Sequence, residues 1–308
     1  MAFYGTLVDK SVDSLFEQYF GIDDSIEISA EEMQRLCKYE ISDFEVLTES
    51  ANPFQGLEKA FSKLGLSKAL PKTKKSISSA SKDIGNTIKK EGITKESRKS
   101  IMARINDCLD QISEVLEEYM DDIEITFPED TDPKHISNSI GLVLTALIVN
   151  SLGVAILQIV AALMAGPAGL EIGSKIGGCI IAPIVEEFCK RTANKGGYLP
   201  TFLIVFNIVE ASLYVTNITA AGVKITKAII IRGIAIGLHI STSVVQWITS
   251  NKKFQKFIGL DKLKDPEDAK KSISAIGYIV GVLMHALYNF SGTFGKLAKW
   301  ANAFAGLN

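Results

Sequence analysis

The rhythm of apolar and polar positions changes near Ile136. Before it, apolar residues recur among charges at helical spacing. In IMARINDCLDQISEVLEEYMDD, Ile101, Ile105, Leu109, Ile112, Leu116 and Tyr119 fall three or four apart. That spacing predicts an amphipathic helix over 101–122, acidic at its end. Farther upstream, Ser29-Ala30-Glu31-Glu32 ahead of MQRLCKYE is a capped helix start. Between these elements the pattern loosens. PKTKKS, TIKKEG and KESRKS mix Lys with Ser and Gly, so residues 51–100 are expected to form a Lys-rich linker, mobile or loosely helical. FPEDTDP then interrupts the pattern.

After Ile136 five long apolar segments follow. The first, Ser139 to Ala165, carries no charge and is long enough to span a bilayer. The second, Gly169 to Arg191, contains Glu171, Lys175, Glu186 and Glu187. The third, Pro200 to Thr219, carries Glu210, and the fourth, Ile225 to Ser250, carries Lys227, Arg232 and His239. The fifth, Ile273 to Phe290, carries His285 and Asn289. The expected fold is all-α: a multi-pass membrane bundle of about five helices over 135–293, preceded by a soluble helical region over 1–130. The tail 294–308, FGKLAKWANAFAGLN, is expected to lie as an interfacial amphipathic helix with Trp300 at headgroup level.

Charge and composition refine this picture. The mean hydropathy of +0.20 is high for a chain that is 22% charged, and nearly all the apolar excess lies after Ile136. A net charge of −2 argues against nucleic-acid binding through bulk electrostatics. Cys37, Cys108, Cys179 and Cys189 have no metal-ligand spacing and read as reduced. The N-terminus lacks a basic start followed by an apolar run, so insertion is expected to use an internal helix. The Lys-rich loop NKKFQKFIGLDKLKDPEDAKKS and the shorter KRTANKGG both favour the cytoplasm, which places the N-terminal region there too.

A charge near a bilayer centre costs roughly 2.5–3.5 kcal/mol even on the mildest scale. Glu186, Glu187, Glu210, Arg232, His239 and His285 are therefore expected to face one another or a water-filled cavity. In the inferred topology the two histidines lie about 15–18 Å inside the cytoplasmic face, at the rise of an α-helix, close to the end of the helix carrying Glu186 and Glu187. His285 and Asn289, four apart, share a helix face.

Four stretches, in order, resemble the PrsW-type branch of the glutamic intramembrane proteases, the superfamily of CAAX proteases and bacteriocin-processing enzymes. APIVEEFCKR holds Glu186-Glu187 with Lys190 and Arg191, similar to an EExxK or EExxxR motif. FNIVEASLYV supplies Phe206 and Glu210, with Tyr214 one turn later. IIIRGIAIGLHISTS pairs Arg232 with His239, and LMHALYNFSG supplies His285-x-x-x-Asn289. The resemblance covers about 135–293. It implies a metal-independent peptidase acting on a membrane-embedded or membrane-proximal peptide. Glu186 would be the general base on a water held by His239 or His285, and Glu187 would pair with Lys190 or Arg191, with exchange of the two glutamates' roles left open. His285 and Asn289 would donate to the oxyanion, and Glu210 would pair with Arg232 or take part in the chemistry.

Three other functions fit parts of the sequence. Two histidines and a glutamate are zinc ligands by type, although no close-spaced ligand pair such as HExxH is present, so no cofactor is expected. A non-catalytic scaffold, immunity or assembly protein would keep the same fold, and the charge blocks of the N-terminal region suit a docking role toward a protein partner. A transporter ranks last, because no inverted repeat is evident.

Overall fold

The computed structural model describes residues 27–37, 52–119, 131–220 and 225–293. The acidic run at Asp23-Asp24, the first part of FPEDTDP, and the tail 294–308 with Trp300 lie outside the described residues, as does the Tyr214 side chain. Every named element is helical, and the one extended pairing described is an isolated bridge between Ile28 and Ile93. In chain order the helices are α1 (Ala30–Leu36), α2 (Gln55–Lys63), α3 (Leu70–Glu91), α4 (Lys95–Glu117), α5 (Pro133–Ala165) and α6 (Pro167–Ile176). A π-helical turn, Gly177–Ile181, leads into α7 (Ala182–Lys195). Then come α8 (Leu199–Ala220), α9 (Ile225–Ser250), α10 (Lys252–Phe257), a 3₁₀ turn (Leu260–Lys262) and α11 (Pro266–Thr293). The described chain divides into two compact units, and the division falls inside α5.

The first unit contains α1–α4 together with Leu147–Gly177. Ser29 caps α1, its side chain accepting from the Glu32 N–H at 3.2 Å. α3 and α4 form a hairpin turned at Gly92 (φ 71°), where a Cβ would run into the Ile28 carbonyl. Thr94 and Ser97 close a reciprocal capping box at the start of α4, with bonds of 3.2 and 2.8 Å. Of the face that the helical spacing predicted, Ile105, Leu109, Ile112 and Leu116 are buried and Ile101 and Tyr119 half-buried, and Cys108 is buried beside them.

The expected linker at 51–100 is corrected by α2 and α3. Thr73, Ile77, Ala80, Ser81, Ile84, Gly85 and Ile88 recur every three or four residues along α3 and are all buried. Lysines on the other positions mask this stripe in a composition count. Leu57, Phe61, Ile77 and Ile84 are fully buried, and each contributes about 1.5–3 kcal/mol.

The expected boundary between a soluble region ending near 130 and a bundle beginning near 135 is corrected as well. The second half of α5 belongs to the first unit, and none of its residues from Leu147 to Leu163 is exposed. A helix apolar on every side needs apolar neighbours, protein or lipid, on every side. Gly85 of α3 is one of them, set against the Ile159 side chain where a Cβ would clash. α6 is another. Gly169, Gly173 and Gly177 are spaced by four and line up against Ala161, Gln158 and Val154. A Cβ at Gly173 would stand 2.6 Å from the Gln158 Cα, so this antiparallel hairpin closes backbone to backbone.

The second unit contains the start of α5 and the described residues from Gly178 onward. α7, α8, α9 and α11 pack together, and Gly277 of α11 lets the helix close on Thr249 of α9. Their outward faces are apolar: Ile204 and Ile208 on α8, Ile229, Ile234 and Trp247 on α9, Ile276, Ile279, Leu283 and Leu287 on α11. Their inward faces hold Glu187, Lys190, Arg232, His239, Gln246 and His285, all buried. This inversion of the soluble-protein pattern suits lipid surroundings. Among the described residues, four helical stretches are long and apolar enough to cross a membrane: Pro133–Ala165, Pro167–Lys195, Ala228–Ser250 and Pro266–Ser291. They are compatible with an integral membrane protein. The third expected segment lies on α8, Leu199–Ala220, whose described part Leu199–Ala211 is apolar.

Candidate functional site

α7 begins with a defect in helical hydrogen bonding. In the wide register of the π turn, the Gly178 carbonyl would accept from the N–H five residues on, and position 183 is a proline with no N–H. Asn289 of α11 supplies the missing donor, its side-chain N–H reaching the Gly178 carbonyl at 2.9 Å. Past Pro183 the ordinary helix resumes and carries Glu186, Glu187 and Lys190 inward, with Tyr278 of α11 bonded to the Ile184 carbonyl at 3.1 Å.

Glu187 is the hub. Its Oε1 accepts from Lys190 Nζ at 2.5 Å, from His285 Nδ1 at 3.0 Å and from the Thr242 hydroxyl at 3.1 Å. Its Oε2 accepts from Gln246 Nε2 at 2.7 Å. Glu187 and Lys190 have no exposed surface. Gly281 makes room for the hub, since a Cβ there would stand 3.1 Å from Glu187 Oε2 and 3.2 Å from Gln246 Nε2.

His239 forms the second knot. Its Nδ1 lies 2.9 Å from Lys190 Nζ, and its Nε2 lies 2.8 Å from Glu210 Oε2. An ammonium only donates and a carboxylate only accepts, which fixes the tautomer: Nδ1 accepts and Nε2–H donates. Glu210 also binds Arg232. Phe206, one turn before Glu210, packs edge-on against the His239 ring with centroids 5.2 Å apart.

His285 joins the two knots. Its ring meets that of His239 at right angles, with centroids 4.8 Å apart. With Nδ1–H given to Glu187, the lone pair is on Nε2, which lies 3.6 Å from Glu186 Oε2. Glu186, His239 and His285 together hold donor atoms within 4.8 Å of one another. Three carboxylates (Glu186, Glu187, Glu210) face two cations (Lys190, Arg232), so with neutral imidazoles the cluster has a formal charge of −1.

The structure thus gathers Glu186, Glu187, Lys190, Glu210, Arg232, His239 and His285 from four helices. Of the two cations offered to Glu187, Lys190 takes the place. Arg191 instead lies over the Tyr278 ring, 5.7 Å from its centroid. Asn289, expected at an oxyanion, commits one side-chain N–H to the π turn. Sequence reasoning missed Thr242, Gln246 and Gly281. Two patterns pointed to the last two: Arg232, His239 and Gln246 are spaced by seven on α9, and Gly281, His285 and Asn289 by four on α11; Thr242 follows His239 by three and so shares its helix face.

No family model matches the chain. No curated protein and no solved structure matches it either.

Proposed function

We propose that the chain is an intramembrane endopeptidase in which Glu186 and His285 activate a water against a peptide carbonyl. One observation carries the reading: a buried imidazole has Glu187 on one nitrogen and Glu186 beside the other. The first contact fixes the tautomer, as the acid of a catalytic triad does. The second sets a carboxylate 3.6 Å from the basic nitrogen. A water about 2.8 Å from both atoms completes a triangle on that base.

The step follows from this placement. Glu186 takes a proton from the water, and the water oxygen adds to the carbonyl carbon while His285 Nε2 accepts a hydrogen bond from the remaining O–H. The tetrahedral intermediate collapses with loss of the C–N bond, and Glu186 returns the proton to the departing amine. Glu187, Lys190, Thr242 and Gln246 position the imidazole. His239, with both nitrogens engaged, belongs with Glu210 and Arg232 in the supporting frame. Asn289 holds the π turn that aims Glu186. The four-motif resemblance to the glutamic intramembrane proteases supports the same assignment. So does the apolar exterior, which makes a membrane-embedded or membrane-proximal peptide the substrate class. The Lys-rich loop after α9 is read as cytoplasmic, with the N-terminal region on the same side and free to dock a protein partner.

A second reading is a non-catalytic scaffold. It is favoured by the number of helices that the cluster ties together: α7, α8, α9 and α11. Reconstituted protein offered a broad panel of transmembrane peptides separates the two. The hydrolase reading expects cleavage by the wild type and its loss in Glu186→Ala and in His285→Ala. Equal inactivity of all three, with folded protein throughout, supports the scaffold.

A further inference from the structure

The cation at the centre of the cluster is tethered to the chain. Lys190 Nζ stands 2.5 Å from Glu187 Oε1, 2.9 Å from His239 Nδ1 and 3.0 Å from the Thr242 hydroxyl. An ammonium has three N–H bonds, and here each has an acceptor. A carboxylate oxygen and an imidazole nitrogen are the donor types that hold a divalent metal, and a Ser or Thr hydroxyl serves as one for Mg²⁺. Immediately beside them, the donor atoms of Glu186, His239 and His285 lie within 4.8 Å of one another.

We propose that Lys190 is a built-in cation that occupies the place of a divalent metal and keeps this cluster metal-free. Two features exclude the ion. His239 offers one lone pair, at Nδ1, because its Nε2–H is directed at Glu210. Lys190 and a metal therefore compete for a single nitrogen. The ammonium also lowers the attraction for an incoming ion, because the cluster's formal charge is −1 with Lys190 and −2 without it. Replacing Lys190 with an uncharged residue of similar length frees His239 Nδ1 and takes the nearest donor from Glu187 Oε1. Zinc–nitrogen and zinc–oxygen bonds are about 2.0–2.2 Å, so each donor would move inward by less than about 1 Å to close on an ion. The inference concerns the cluster assigned above to hydrolysis. Its readout is metal occupancy, so a chain that binds no metal and cleaves no peptide sinks the hydrolase and leaves this proposal standing.

The test uses the full chain in nanodiscs, stripped with chelator and titrated with Co²⁺, whose visible ligand-field bands report nitrogen and oxygen ligation. Wild type is expected to bind substoichiometrically and to show no bands. Lys190→Met is expected to bind stoichiometrically and to show them, and Lys190→Met with His239→Gln to lose them. Stoichiometric binding by wild type that disappears in His239→Gln overturns the proposal. So does folded Lys190→Met that binds no more than wild type. Should the methionine variant aggregate, Lys190→Gln takes its place. A wild-type measurement also decides the matter alone: the ¹⁵N resonances of the His239 ring must not move when Zn²⁺ is added, and a shift to the metal-bound position refutes the exclusion.

Discussion

Removing the carboxylate of Glu187 should be among the most damaging single changes in the second unit. Glu187→Leu leaves the Lys190 ammonium with no exposed surface and without its 2.5 Å partner. An unpaired buried charge of this kind costs about 3–5 kcal/mol. The same change strips the acceptor from His285, Thr242 and Gln246, at about 1–3 kcal/mol for each buried donor that finds no replacement. These costs overlap, so the expected loss is about 5 kcal/mol. Lys190→Met leaves Glu187 its three other donors and should cost about 3 kcal/mol. The double variant, Glu187→Leu with Lys190→Met, has no orphaned charge and should be less damaged than the sum of the singles by at least about 2 kcal/mol. Steric-trapping unfolding in bilayer mimetics, read as a double-mutant cycle, gives all three numbers. Strictly additive losses, or a Glu187→Leu cost below about 1 kcal/mol, would refute the buried pair as the centre of the cluster.

Three further outcomes follow from other parts of the structure. Gly281→Ala should lower the thermal midpoint modestly, because Glu187 and Gln246 must each give by a few tenths of an ångström; Gly281→Val should cost clearly more. Gly173→Leu should disrupt the α5–α6 hairpin, since its Cβ would stand 2.6 Å from the Gln158 Cα; accelerated proteolysis within 147–177 is the measurement. In the N-terminal region, burial pushes the Cys108 thiol up from 9.0 to about 12. A group that holds its proton more tightly when folded contributes stability that is present below pH 9.0 and lost as pH rises toward about 12. Cys108→Ala should therefore flatten the decline in stability over that range, as read from denaturation at stepped pH.

Much of the second unit could be read from the chain, because charged residues inside apolar helices have few places to go. Glu186, Glu187, Arg232, His239 and His285 stand out against their segments, and the cost of a lone charge in lipid predicts that they converge. Which partner each would choose was not readable. Lys190 and Arg191 are adjacent and alike in charge, and only the rotation of α7 directs one to Glu187 and the other to Tyr278. Asn289 shows the same limit. Its place at the Gly178 carbonyl depends on a vacancy created by Pro183, which appears only when the π register is known. Thr242 and Gln246 are neutral and look like ordinary helix residues until it is noticed that Gln246 continues the seven-residue spacing of Arg232 and His239, and that Thr242 follows His239 by three. The first unit was harder to read. The lysines of α3 outnumber its isoleucines and drew attention from the stripe at Thr73, Ile77, Ala80, Ile84 and Ile88. A hydropathy scan cannot show that the second half of α5 packs against α3 and α6, with no exposed residue from Leu147 to Leu163.

The role of Glu186 as the group that activates water can be measured directly. Single-turnover cleavage of a transmembrane peptide in H₂¹⁸O, followed by mass spectrometry for wild type and for the isosteric Glu186→Gln, reports both the bond broken and the base. The predicted result is ¹⁸O in the new C-terminal carboxyl with wild type, and a rate at least about 100-fold lower in Glu186→Gln with folding unchanged. Cleavage by Glu186→Gln at the wild-type rate, or product that carries no label, contradicts the assignment.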